Sequence, residues 1–265
     1  MTTPLEEWAS GDAYEQFMGR WSGEIARLFM DWLQPAVGLS WLDMGCGTGA
    51  LSRAISATTE AKIIVGIDPS LDFLRYAGHR LPAMCLATAD ASALPITDNT
   101  FDLCVSGLAL NFVPEPEIAL RELARVVKPG GVVAVYIWDY ADKMEYLRYF
   151  WDAASDLDTK ARSLHEGNRF PICNPQTLME LWSDSGLRDV VVHPLDARMM
   201  FDDFDSYWLS FTSGSFPAPQ YALSLGTRER ELLRDHLQKT IPAEDDGSIH
   251  LLARAWAVRG IKAPG

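Results

Sequence analysis

The sequence predicts an α/β chain built on a doubly wound, mostly parallel sheet, and three observations lead there. Between residues 40 and 138 short apolar runs alternate with helix-like stretches. The apolar runs are continuous rather than alternating, as in strands covered on both faces. A glycine-rich turn, WLDMGCGTGA at 41–50, follows the first of them. Strand, helix and strand repeated in this way form right-handed crossovers in one parallel sheet.

The elements follow in order. SWLDMG at 40–45, AKIIVGID at 61–68, AMCLATAD at 83–90, FDLCVSG at 101–107 and GVVAVYIW at 131–138 read as strands, with β-branched or wholly apolar interiors. Between them, 50–59 and Leu71 to His79 read as helices. Glu117 to Val127 is the clearest helix, because Leu120, Leu123, Ala124 and Val127 share one face at the i, i+3, i+4, i+7 spacing. It stops at Lys128-Pro129-Gly130-Gly131, where proline and glycine break the pattern. Further on, Met144 to Leu157 and Asn174 to Ser185 read as helices, the second ended by Gly186. DVVVHPL from Asp189 and HLLARAWAV from His250 complete seven strand candidates, and a helix around Arg228 to Lys239 precedes the last.

No repeat or low-complexity linker interrupts the chain, so residues 1–265 read as a single domain. Its parts are a ligand-binding core at 38–138, an N-terminal flap at 1–37, and lid or substrate insertions at about 140–172 and 201–247. Hydrophobic residues make up 48% and charged residues 22% of the 265, enough for a sizeable core. The formal net charge of −13 argues against nucleic acid and anionic membrane surfaces, which need clustered Lys and Arg. No apolar run reaches the ~18 residues of a spanning helix. The opening MTTPLEEWAS has no basic head or apolar core, unlike a signal peptide. Cys46, Cys85, Cys104 and Cys173 form no CxxC pair, so reduced, buried thiols in a cytoplasmic protein are expected. No metal site is expected.

The glycine turn carries the chemistry. Glycines after a strand let the backbone turn sharply and approach a ligand without Cβ clashes. The helix starting near Ala50 would aim its free N–H groups at that ligand. An acidic residue about 20 positions on serves ribose hydroxyls, and Asp68 stands 19 residues after Gly49. Gly45, Gly47 and Ala50 also satisfy the permissive G-x-G-x-x-G/A dinucleotide pattern, so the glycines alone do not choose the ligand. Charge does. A dinucleotide would bring a pyrophosphate against Asp43, two residues before the first glycine. A ligand bearing an ammonium and a sulfonium would be attracted by the same carboxylate, or Asp43 would organise the loop that holds it.

Four segments in this order and spacing, DMGCGTGALS, GIDPS, TADASALPITDNTFDLCVSGLAL and RVVKPGG, resemble the class I S-adenosylmethionine-dependent methyltransferases. Within them the chain is most similar to the small-molecule branch typified by ubiquinone and menaquinone biosynthesis enzymes, methyltransferase type 11. The match covers roughly residues 38 to 138, and YEQFMGRWS at 14–22 and HLLARAWAVRG at 250–260 look like a bacterial subgroup of that family. The resemblance implies a Rossmann-like seven-stranded fold with helical lid segments, and S-adenosyl-L-methionine as cofactor. It implies that the backbone of Gly45, Cys46, Gly47 and Gly49 holds the methionine part of the cofactor. Asp68, followed by Pro69, would take the ribose hydroxyls. Asp90 would face the adenine amino group with the Ala91 amide on the ring. Leu108, Asn111 and Phe112 would close over the cofactor. Tyr14, Met18 and Arg20 would form the flap, with Arg20 meeting the cofactor carboxylate through two parallel hydrogen bonds.

The acceptor side is less marked. Methyl transfer depends mainly on proximity and orientation, and a general base is needed only when the acceptor must lose a proton. His165 is the base candidate by residue type, and Asp139 and Tyr140, just past the fifth strand, are placed as well as it is. Trp138, Tyr146, Phe150, Trp151, Tyr207, Trp208, Phe211, Phe216 and Tyr221 form either an apolar lid over a small organic acceptor or the core of the added helices. The expected activity is methyl transfer to a small molecule by a monomer or homodimer. An NAD-dependent oxidoreductase on the same loop and a non-catalytic cofactor-binding protein are the alternatives.

Overall fold

The computed structural model describes residues 18–212 and 216–264. Its centre is a seven-stranded sheet in the order β3-β2-β1-β4-β5-β7-β6. The strands are β1 (Ser40–Met44), β2 (Ile63–Ile67), β3 (Cys85–Ala87), β4 (Phe101–Gly107), β5 (Val127–Trp138), β6 (Arg188–Phe201) and β7 (Ile249–Ile261). β1, β2, β3, β4 and β5 pair in parallel, and β7 runs antiparallel between β5 and β6.

The helices are α1 (Arg20–Leu33), α2 (Ala50–Thr58), α3 (Leu71–Arg80), α4 (Pro116–Val126), α5 (Glu145–Leu157), α6 (Glu166–Arg169) and α7 (Pro175–Asp184). After β6 come α8 (Phe204–Leu209), α9 (Pro217–Ser224) and α10 (Thr227–Thr240). None of the described helices is long and apolar enough to cross a membrane.

Two cores flank the sheet, and the strands feed them alternately, as successive side chains point to opposite faces. Leu42, Cys104, Val133, Val135 and Ile137 pack with Leu120 and Leu123 of α4 and Leu178 and Trp182 of α7. Trp41, Leu103, Val105, Ala134 and Tyr136 pack on the other face with Ile25 and Phe29 of α1 and Leu51 and Ile55 of α2. Both faces being covered explains why these strands read as unbroken apolar runs.

Three sequence expectations change. First, β5 begins at Val127 and runs through Lys128-Pro129-Gly130-Gly131, where the register against β4 shifts. Gly130 adopts φ +78°, its N–H donates to Lys262 O, and the Lys262 N–H returns a bond to Gly131 O. Proline and glycine are tolerated in this strand because it is irregular there. Second, β6 extends to Phe201, six residues past the DVVVHPL segment, as a one-sided edge strand. Leu195, Ala197, Met199 and Phe201 are buried while Asp196, Arg198 and Met200 are exposed. Third, Cys85 is exposed, whereas Cys46, Cys104 and Cys173 are buried, and all four are free thiols.

The aromatic residues of the added segments form a core of their own. Tyr146, Phe150, Trp151, Tyr207 and Phe211 are fully buried. Phe150 stacks on Phe211 with ring centroids 4.4 Å apart, and Tyr146 stacks on Phe211 at 4.9 Å. Their hydroxyls are spent internally, Tyr207 Oη donating to Tyr146 O and Tyr146 Oη to Ser210 Oγ. These rings pack on one another and on Phe201 of β6, which holds the helical addition to the sheet.

Candidate functional site

The carboxyl ends of β1, β2 and β4 open onto one cavity of about 660 Å³. Ligands of open α/β sheets bind at this edge. The turn after β1 is shaped by three glycines in left-handed conformation, Gly45 at φ +68°, Gly47 at +52° and Gly49 at +87°. A Cβ on Gly45 would collide with that of Ala109, so the turn also lies hard against the segment after β4.

The N–H groups of this turn face inward. Those of Gly45 and Cys46 donate to Ile67 O at 2.8 and 3.0 Å, that of Gly47 to Asp68 Oδ2 at 3.0 Å, and that of Gly49 to Cys46 O at 2.8 Å. A phosphate cradle requires such donors to point at the ligand. Here the N–H groups of Gly45, Cys46, Gly47 and Gly49 are already used, which disfavours a dinucleotide pyrophosphate on these donors.

Two buried carboxylates line the same cavity. Asp43 is wholly inaccessible; its Oδ2 accepts from Ser52 Oγ in the first turn of α2 at 2.5 Å. Its Oδ1 is buried and has no hydrogen-bond partner. Burial pushes its carboxyl up to about 7, and the charge of Asp68 adds to this. Asp68 is 7% exposed, with Oδ1 accepting the Ser70 N–H at 2.8 Å and Oδ2 the Gly47 N–H. Burial raises its carboxyl too, while the two backbone bonds pull it back. Cys46 lies beside both, and burial followed by their charges holds its thiol protonated. An orphaned carboxylate oxygen next to a second acid suits a cationic ligand and opposes an anionic one.

The opposite end of the cavity is formed after β3 and β4. Asp90 is exposed and turns back to accept the Ser92 N–H at 2.8 Å, with Ala91 half-buried beside it. Leu108 takes φ +59°, costly for a residue with a branched side chain, and is held there by its N–H donating to Tyr136 O at 2.8 Å. Phe112 follows in a single 3₁₀ turn, Leu110–Phe112.

Of the sequence-selected residues, Asp43, Gly45, Cys46, Gly47, Asp68, Pro69, Asp90, Ala91, Leu108 and Phe112 line this cavity. Gly49 stands behind it as the N-terminal cap of α2. Asn111 lines a neighbouring groove instead, and Met18 is 6% exposed within the sheet-flanking core. Tyr14 lies outside the described residues, and of Arg20 only its place at the start of α1 is described. Ser22, Ser70, Phe73, Ala109 and Tyr136 also line the cavity and were not selected. Tyr136 gave no sequence signal, because a tyrosine within an apolar strand reads as core; in the structure a Cβ on Gly107 would run into its hydroxyl.

The three proton-transfer candidates are elsewhere. His165 caps α6, its Nδ1 accepting the Gly167 N–H at 2.9 Å, and burial lowers its basicity. Asp139 is 4% exposed, and its Oδ1 accepts the Asp142 N–H at 3.2 Å. Burial raises its carboxyl. Tyr140 packs its ring 5.9 Å from that of Phe170. None of the three lines the cavity.

Comparison with known proteins agrees with this geometry. Residues 42–135 match the model of a family described as a methyltransferase domain. The demethylmenaquinone methyltransferase of Staphylococcus aureus is 41% identical over 103 residues, 36% of this chain and 42% of that protein. The malonyl-[acyl-carrier protein] O-methyltransferase of Erwinia pyrifoliae is 40% identical over 100 residues, 38% of this chain and 37% of that one. The chain thus spans less than half the length of these relatives. Among solved structures, phosphoethanolamine N-methyltransferase 2 of Haemonchus contortus, in complex with phosphomonomethylethanolamine and S-adenosylhomocysteine, aligns with a TM-score of 0.61 at 15% identity. That alignment covers 96% of this chain and 57% of the other, and shows a shared fold. Over residues 42–135 the chain is thus similar to a methyltransferase domain and to these two methyltransferases.

Proposed function

We propose that the protein is an S-adenosylmethionine-dependent methyltransferase that passes a methyl group to a small organic acceptor. The observation that carries this reading is the cavity at the sheet edge whose buried carboxylate, Asp43, keeps one oxygen without a partner. Bound there, the cofactor supplies a methyl group already activated by a sulfonium. Asp43 and Asp68 supply the negative charge that favours such a cation, and Asp68 sits where ribose hydroxyls are met in this fold. Asp90, Ala91 and Phe112 bound the adenine end, and the glycine turn lets the methionine part approach the backbone.

The chain's part in the reaction is to bind, orient and exclude water. With His165, Asp139 and Tyr140 outside the cavity, proximity supplies the rate and no side chain is assigned a proton transfer. The names of the relatives, a demethylated quinone and a carrier-bound malonyl group as methylated molecules, support acceptors of small-molecule type. The net charge of −13 supports the same class over nucleic acid, and we place the protein in the cytoplasm as a monomer or homodimer.

A thermal-shift titration tests binding. S-adenosylhomocysteine at 100 times its dissociation constant should add about 2.7 kcal/mol of stability. A shift with NAD and none with either cofactor form would overturn the reading. Incubation with methyl-labelled cofactor and cell extract tests turnover and names the acceptor.

A further inference from the structure

Beside the cofactor cavity lies a larger groove of about 1360 Å³, bounded by α4, α7 and residues 163–172. Phe112, Val113 and Pro114 line both spaces, so the two adjoin along this segment. Resting on the methyl-transfer reading, we propose that this groove seats the acceptor. Its occupant is an uncharged, largely apolar molecule that presents a carbonyl or hydroxyl oxygen to Asn111.

The lining sets that chemistry. Leu120 and Ile172 are buried, and Leu164, Phe170 and Leu181 are half-buried, giving an apolar interior. The charged residues are of both signs, exposed Glu117, Glu180, Asp184 and Arg121 together with half-buried Arg169, so neither sign dominates the lining. Asn111 is 7% exposed, and its Nδ2 is buried without a hydrogen-bond partner. A buried amide donor left unmade is a standing cost that a ligand oxygen removes. Phe112 stands edge-on to Phe170 with centroids 5.1 Å apart, which joins the wall of the cofactor cavity to the far wall of the groove.

The test uses 1-naphthol as the probe and naphthalene as the same shape without the oxygen, titrated calorimetrically into the full chain saturated with S-adenosylhomocysteine. Asn111→Leu should weaken 1-naphthol at least ten-fold and leave naphthalene within two-fold. Leu181→Trp, at a half-buried position on the groove wall, should abolish binding of both. Both variants should bind S-adenosylhomocysteine within two-fold of the wild type. If Asn111→Leu instead weakens S-adenosylhomocysteine, Asn111 belongs to the cofactor cavity and the proposal falls. It falls equally if the wild type does not bind 1-naphthol, or if neither variant changes its affinity. Failure of the wild type to bind S-adenosylhomocysteine overturns the methyl-transfer reading itself, and 1-naphthol titrated alone then still tests the groove.

Discussion

Asp68 Oδ2 accepts the Gly47 N–H at 3.0 Å, tying the end of β2 to the glycine turn that follows β1. The other oxygen holds the Ser70 N–H at 2.8 Å, at the N-terminal cap of α3. One carboxylate thus fixes the turn, the helix and the cavity wall together, in addition to any contact with a ligand. Replacing Asp68 by Ala strands two partly buried N–H groups and removes the acid proposed to meet the ribose. We expect S-adenosylhomocysteine to bind at least ten-fold more weakly and the melting temperature to fall, with unfolding cost reduced by roughly 1–3 kcal/mol. Titration calorimetry and thermal melts on the same preparation check both. Unchanged affinity with lowered stability would leave Asp68 a purely structural brace.

Asp43 predicts a pH dependence of binding. Its carboxyl lies at about 7 because of burial, so it is mostly neutral at pH 6 and mostly ionised at pH 8. Only the ionised form attracts a cation, so affinity for S-adenosylmethionine should rise with pH by up to about ten-fold across this window. Asp43→Asn keeps an acceptor for Ser52 Oγ and should flatten this component of the profile. Equal slopes in both proteins would show that the carboxylate does not sense the ligand's charge.

Gly45 and Gly38 make a matched pair. Both have positive φ, +68° and +75°, but an added Cβ meets Ala109 at Gly45 and nothing within 4 Å at Gly38. Gly38→Ala should therefore cost only the backbone strain, about 1 kcal/mol. Gly45→Ala adds the collision and should cost roughly 2–5 kcal/mol, with loss of cofactor affinity. Denaturant melts of the two variants side by side check the difference; equal costs would mean the turn is not pressed against the segment after β4.

Much of the site was legible in the sequence because its chemistry dictates residue types. A turn close to a ligand needs glycine, the proposed cationic ligand favours Asp43, and the fixed length of a strand–helix–strand unit puts Asp68 at the end of β2. Side-chain partners were not legible. The 3₁₀ turn Leu110–Phe112 advances about 120° per residue, so Leu110 enters the core, Asn111 the groove and Phe112 the shared wall. Three adjacent letters cannot show that division. The second half of β6 was hidden because Asp196 and Arg198 interrupt its apolar run, on an edge strand buried on one face only. The aromatics of α5 and α8 could serve lid or core until their mutual stacking was seen.

Glu166 predicts a pH dependence of stability that is separate from the cofactor cavity. Its side chain is buried, and its Oε2 accepts the Trp151 Nε1–H at 2.5 Å. Burial pushes the carboxyl up from 4.5 to about 7, while the Trp151 bond and the charge of Arg169 act the other way. A group whose pKa is raised on folding stabilises the fold fully below its unfolded value, and that contribution is lost as pH rises through the folded value. From pH 4.5 to about 7 the wild type should therefore lose on the order of 2–3 kcal/mol through Glu166. Asp43 adds a loss of the same sign, so the wild-type curve alone does not isolate either group. Glu166→Gln does isolate one, because the amide oxygen can still accept from Trp151 and carries no charge at any pH. The variant should match the wild type near pH 5 and exceed it at pH 8 in urea melts. A variant less stable than the wild type at pH 8 would mean that Arg169 holds the carboxylate ionised, and that burial does not control this site.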